Sequence, residues 1–445
     1  MTRINTRAPA PPTAPRTETP AAKPTGAPPK AGWTAPPTSG GPTTATGFDP
    51  APAAPSPALK EIRTLLEGHT DRNEERRILD IFRGASPAEL NQVLSQLPVH
   101  EVHELIGDLD DRWFGPDNRT AFLALLTRER LADLTPESRA KLVHGLQTGG
   151  TDGQAERAIR DIFLGTRGAD LTALKNGIDS GVDYHDLQQL VFHDIDDRGI
   201  RGQLLAHFKA EAKPTGQVKV LSDIDDTFYE NWVDDRFPKQ TVYPGVRAFY
   251  QELDQGGGAT ADRLGDLNFL SARPYDRAGL TEGLTHDMLE KHGVTHATVL
   301  SGDLLHVIGN ENIAAKKFDN WQQVRQLYPE YGSVFIGDSG QGDASFGAKA
   351  VATSPSDMKR VFIHNVTHLD AAQKADFAKQ GVYVFDTYVG AATEAYRDGL
   401  ITRDGLQRVA DAAQAELAQV KFDSPEKQAA RQAELDRDLA ALRNL

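Results

Sequence analysis

Cysteine is absent from this chain, and with it go disulfides, thiolate metal sites and a cysteine nucleophile. Positive charge is also short. The chain has 49 Lys and Arg against 63 Asp and Glu, a formal net charge of -14. Long-range attraction to nucleic acid or to an anionic bilayer is therefore not expected. No apolar run is long enough to span a membrane. The basic residues at the N-terminus have no apolar stretch behind them, which argues against a conventional secretory signal. A cytoplasmic protein, or one peripheral to a membrane, is expected, with leaderless export left open. The 13 histidines show no HExxH or other paired spacing, so no zinc site is expected.

What the chain does have is divided along its length. Residues 1–57 carry 15 of the 26 prolines, with Ala, Thr and Gly between them. Such a segment cannot bury enough apolar surface to offset its ordering entropy, and a disordered tail is expected. Residues 58–213 turn helical, with Ile62, Leu65 and Leu66, then Ile78, Ile81 and Phe82, at helical spacing. ERRILDIF at residues 75–82 returns as ERAIRDIF 81 positions later, and DLDDR at 108–112 returns as DIDDR at 194–198. The repetition predicts two packed copies of one helical module, suited to scaffolding or partner binding. The acidic DxDD runs read as interhelix turns, because neither has strand context.

Residues 214–400 alternate strands with helices, and 401–445 add two polar helical stretches. Strands are predicted at 218–224, 267–272, 298–301, 333–338 and 361–365, a doubly wound parallel α/β sheet. The first strand runs into VKVLSDIDDT, which crowds Asp223, Asp225 and Asp226 at a carboxyl end. Three carboxylates there repel one another and are costly to desolvate; a bound hard cation such as Mg²⁺ relieves both. Further on come Ser271 at the second strand's end, the pair Lys316 and Lys317, and Gly337-Asp338-Ser-Gly-Gln-Gly-Asp343 where the strand at 333–338 ends.

That ordered set resembles the haloacid dehalogenase superfamily of phosphatases. The run KFDNWQQVRQLYPEYGSVFIGDSGQGD narrows the resemblance to the catalytic domain of actin-patch type phosphatidate phosphatases. It extends over roughly residues 217–395, under half the chain. It departs at LSARPY after the second strand, where many members have a run closer to Ser-Ser-Pro-Trp. The resemblance implies Mg²⁺-dependent hydrolysis of phosphatidate through an aspartyl-phosphate. Asp223 would be the nucleophile and Asp225 the general acid and base. Thr227 would orient the loop, and Ser271 and Lys317 would bind the phosphoryl oxygens. Lys317 fits the family spacing to Asp338 better than Lys316. The cation would be held by Asp223, Asp338 and the carbonyl of Asp225, with Asp343 beside it. Arg273 is a candidate substrate contact.

About 45 residues separate Ser271 from Lys316, too few for a large cap once a helix at 275–292 is allowed. The segment between Thr227 and Pro244 is suited to a flap. An uncapped site favours bulky substrates such as a lipid headgroup, with Phe228, Tyr229, Trp232 and Phe237 as interfacial candidates. Two other readings stay open: a phosphatase of another phosphomonoester, protein-bound or small, and a partner-binding protein whose phosphatase fold is not catalytic.

Overall fold

The computed structural model describes residues 56–68, 70–109, 117–179, 186–255, 267–274, 291, 298–302, 310–340 and 342–445. The Pro-rich segment and the helix expected at 275–292 lie outside them, apart from Ser56, Pro57 and Lys291. Residues 55–445 fall into one compact unit.

The first part of that unit is helical. It runs through α1 (Pro57–Leu65), α2 (Arg72–Gly84), α3 (Pro87–Gln96), α4 (Val99–Asp108), α5 (Asn118–Ala124), α6 (Pro136–Gln147), α7 (Gly153–Leu164), α8 (Gly168–Asp179), α9 (Leu187–Gln189) and α10 (Arg198–Glu211). Capping explains the sharp starts. Asp71 and Asp152 accept from the first-turn N–H groups of α2 and α7, which satisfies donors that would otherwise be orphaned. These are the two helices whose sequences match. Each also buries its first-turn glutamate: Glu75 accepts from Asn118, and Glu156 accepts from the N–H groups of Asp196 and Asp197. Asp197 in the second DxDD run is the N-cap of α10, and Asp194 accepts from Gln147 and Gln189. Those acids are occupied by turns and caps, as their interhelix position implies. The first run lies partly outside the described residues.

The second part is the sheet domain: β1 (Val218–Ser222), α11 (Val246–Gln255), β2 (Leu267–Pro274), β3 (Thr298–Gly302), α12 (Asn310–Leu327), β4 (Gly332–Asp338), α13 (Asp343–Thr353), β5 (Met358–His364), α14 (Ala371–Lys379), β6 (Val382–Phe385), α15 (Tyr388–Arg397), α16 (Arg403–Leu417) and α17 (Pro425–Arg443). Six parallel strands lie in the order β3-β2-β1-β4-β5-β6. This is the expected α/β class, doubly wound, with helices on both faces.

Period-two alternation assigns each face. Val220, Val334, Ile336 and Phe362 join a core with α11, α15, α16 and α17. Leu221, Phe335, Val361 and Ile363 join the other, which continues through Trp321 and Val324 of α12, and Tyr328 just after it, into the helical region. The helix α12 is thus held between the sheet and the helical part. Its apolar stripe is buried at Trp321 and Val324, with Phe318 half-buried, and Tyr328 just past its end is buried as well.

Some boundaries differ from the sequence reading. The first strand ends at Ser222, so Asp223 and Ile224 already belong to the turn. The fifth begins at Met358, three residues early, and β6 was not anticipated. After Pro244, Gly245 takes a φ of 88°, and α11 starts at Val246. The C-terminal α16 and α17 are built into the second core through Leu417, Leu435, Leu439 and Leu442, while Leu445 is exposed. Among the described residues, no helix is long and apolar enough to cross a membrane.

Candidate active site

The strand order reverses direction between β1 and β4, which are hydrogen-bonded neighbours. Side chains just past the carboxyl ends of such strands meet in a crevice that the sheet itself opens. Asp223 follows β1, Asp338 ends β4, and Asp343 opens α13. All three are buried, and each can offer one oxygen within 4.8 Å of the others. Lys317 reaches in from α12 and is itself buried. Its Nζ donates to Asp223 Oδ1 at 2.7 Å and to Asp343 Oδ1 at 2.5 Å. Lys316, its neighbour in the sequence, is half-buried and does not join this pair.

The electrostatics follow from burial. Desolvation pushes the Asp223 carboxyl up to about 7, against the pull of Lys317 and with the push of Asp343 and Asp225. Asp338 and Asp343 are raised by burial as well, and Lys317 is held above the ordinary lysine range because its two carboxylates outweigh its own desolvation. Three acids against one ammonium leave net negative charge in a dry place, an arrangement that calls for a further positive partner.

The unpaired atoms say where that partner would go. Asp223 Oδ2 and Asp338 Oδ2 are buried without a hydrogen-bond partner. Asp343 is different: Oδ1 takes Lys317 and Oδ2 takes the N–H of Asp338 at 3.3 Å. An all-oxygen donor set with two free carboxylate oxygens fits a hard divalent cation such as Mg²⁺. The residues present therefore fit the implied metal.

Around this centre a loop is fastened tightly. Asp225 is half-buried, and its Oδ1 accepts from the Tyr229 hydroxyl at 3.0 Å and from Asn231 Nδ2 at 2.9 Å. Asp226 sits fully buried at a φ of 57°, a left-handed conformation that a short polar side chain tolerates. Its carboxylate collects the N–H groups of Asn231, Trp232, Val233 and Asp234. The Thr227 carbonyl accepts from the Tyr388 hydroxyl at 2.5 Å, while Thr227 Oγ1 has no partner. Ser271 and Arg273 lie on β2, but their side chains are outside the described residues.

Sequence reasoning missed the support behind the loop. Arg236 forms a bidentate pair with Asp234, and Tyr243 donates to the same carboxylate at 2.9 Å. Arg236 also donates to His364 Nε2 at 2.9 Å, so the Nδ1–H of His364 faces the Asp226 carbonyl at 3.2 Å. Local sequence offered one signal: a DDR run inside an aromatic segment suggests a buried ion pair. Nothing local pointed to His364, 128 positions away.

Residues 218–365 match the family described as phosphatidate phosphatase APP1, catalytic domain, about a third of the chain. The match bears out the resemblance read from the ordered motifs and identifies the family as one of phosphatases. No curated protein and no solved structure matches the chain.

Proposed function

We propose that this chain is a Mg²⁺-dependent phosphatase that hydrolyses phosphatidate to diacylglycerol and phosphate through an aspartyl-phosphate on Asp223. One observation carries the reading: Asp223 and Asp338, in one buried acidic cluster at the carboxyl ends of β1 and β4, each keep an unpartnered oxygen, and Lys317 bridges Asp223 to Asp343 beside them. The family match supports the phosphatase class and favours phosphatidate among its substrates.

Asp223 attacks phosphorus, and the bond to the diacylglycerol oxygen breaks. Asp225, steadied by Tyr229 and Asn231, gives its proton to that leaving oxygen. It then takes a proton from water as the water attacks the aspartyl-phosphate, releasing phosphate and restoring Asp223. Lys317 supplies a fixed positive charge for the phosphoryl oxygens, and Ser271 is proposed to donate to them as well. Thr227 holds the turn behind the nucleophile. When bound, Mg²⁺ neutralises charge between nucleophile and phosphate, held by Asp223, Asp338 and the Asp225 carbonyl, with Asp343 behind Lys317. Residues 58–213 are read as two copies of one helical module, on their matched sequences and matched buried glutamates.

The test is phosphate release from phosphatidate and from a panel of soluble phosphomonoesters, with and without Mg²⁺. Asp223→Asn should lose several orders of magnitude in rate on every substrate while its circular dichroism stays native, because no second group offers the covalent route. Near-normal turnover by this variant, or full activity in excess chelator, would contradict the reading.

A further inference from the structure

Of the four aromatics after β1 that were interfacial candidates, three are interior. Phe228, Tyr229 and Phe237 are buried, and Phe228 packs against Tyr250 and Phe269. They are therefore not available to an interface, contrary to the expectation from their place in the flap. Trp232 is 73% exposed and Val233 beside it is 42% exposed. Among the described residues the only other large exposed apolar side chain is Leu445, near the chain end. Both loop residues sit at one tip, and that tip adjoins the reaction centre. A Cβ added at Gly340, whose N–H binds Asp338, would lie 3.3 Å from a Val233 methyl.

The tip is also rigid in a way an ordinary exposed loop is not. The buried Asp226 carboxylate holds the backbone N–H of both Trp232 and Val233, and Asp226 is itself tied through His364 to the end of β5. The side chains are free while their backbone is fixed. Folding thus holds a tryptophan in water, next to the phosphate site, at the expense of apolar burial. An indole has an apolar body and a polar N–H, the combination suited to the headgroup boundary of a bilayer. Beside the tip, Asp235 contacts His368, Lys239 pairs with Glu230, and Lys427 donates to the Asp235 carbonyl.

We propose that Trp232 and Val233 form a fixed wedge that inserts into the lipid surface and sets the Asp223 centre at headgroup depth. This rests on the phosphatidate reading above and adds the means by which a bilayer-borne phosphate reaches the site. Because the chain is acidic overall, attachment relies on apolar insertion, and added salt does not weaken it.

The experiment uses the full chain and vesicles of brominated phosphatidylcholine containing phosphatidate. With Asp223→Asn present to stop turnover, tryptophan fluorescence is quenched by these vesicles, and the quenching disappears when Trp232→Ala is added. In the otherwise native chain, Trp232→Ala lowers hydrolysis of vesicle phosphatidate roughly tenfold, whereas dissolved short-chain phosphatidate is hydrolysed as before. Trp232→Phe restores most of the vesicle activity. Equal loss on vesicle and dissolved substrate would make Trp232 a wall of the substrate site and overturn the proposal, as would quenching that survives Trp232→Ala. Absence of vesicle binding would overturn it too, and would turn the tip into a candidate protein contact. If no form of phosphatidate is hydrolysed yet Trp232-dependent quenching persists, the substrate reading fails and the wedge stands.

Discussion

Lys317 is part of the buried structure and carries a proposed role in the reaction, and the two can be separated. Its ammonium is buried between Asp223 and Asp343, so its removal leaves two desolvated carboxylates without their counter-charge. Breaking a buried pair in this way costs about 3–5 kcal/mol, moderated by protonation of the acids left behind. Lys317→Met should therefore lower the urea midpoint strongly and reduce phosphate release by about a hundredfold or more. Adding Asp343→Asn removes one of the stranded charges. The double variant should regain a large part of the lost stability and none of the lost activity. If stability and activity return together, Lys317 acts only by holding the fold. The acids were legible in the sequence because each stands just past a strand end or at a helix opening, where position follows from local pattern; Lys317 was legible by its spacing to Asp338, and it lies in the interior of α12 and does not open the helix. Which oxygen each one offers was not legible: Asp343 turned out to use both of its oxygens inside the protein, and that depends on how α12 and α13 pack.

The elements around the site were legible to different degrees for physical reasons. β1, β4 and the second half of β5 are buried on both faces and read as apolar runs, so their existence followed from composition. β6 is four residues at the sheet edge with a half-buried Tyr383, too short a signal to separate from loop. The fastening of the loop to β5 was hidden because it joins residues far apart in the chain. That fastening predicts a pH response. Burial, with Arg236 adding to it, pushes the His364 imidazole down to about 3, against the weaker pull of Asp234 and Asp386. The folded value lies below the ordinary value of 6.5. As pH falls below 6.5 the unfolded chain takes up a proton that the folded chain refuses, and stability is lost. Between about pH 7 and pH 5 the loss amounts to about 2 kcal/mol from this group. His364→Gln keeps a polar partner for Arg236 and cannot titrate, so its unfolding free energy should fall less over the same interval. Parallel pH profiles from urea melts of the two proteins would show that His364 is not the sensor.

At the scale of the whole molecule, the helical part and the sheet domain share one buried polar joint. Lys175 on α8 pairs with Glu330, which follows α12; both are almost fully buried. The same ammonium donates to the Leu327 carbonyl and lies 4.9 Å from the Tyr328 ring, while the Tyr328 hydroxyl meets Asp179 at 2.6 Å. Lys219, on the site's own strand β1, donates to Asn176 of α8 and lies 4.0 Å from the same ring. The joint therefore meets β1 at Lys219, ahead of Asp223 just past the strand's other end, and meets α12 at its last residue, Leu327, ten positions beyond Lys317. Desolvation lowers the Lys175 ammonium to about 8 despite Glu330, a sign that the pair only partly offsets its own burial. Two consequences follow. Glu330→Leu alone strands a buried cation and should cost about 3–5 kcal/mol, and Lys175→Met alone strands a buried anion with a similar effect. The combined Lys175→Met and Glu330→Leu variant replaces the pair with apolar volume and should return to within about 1–2 kcal/mol of the wild type. Because the apolar core is continuous through α12, the wild type and all three variants should unfold in one transition when followed by far-ultraviolet circular dichroism and by the fluorescence of buried Trp321. Two separated transitions, with the helical signal lost first, would show that the joint is a docking contact between independently stable domains. A single transition with simply additive losses would show that Lys175 and Glu330 do not stabilise one another.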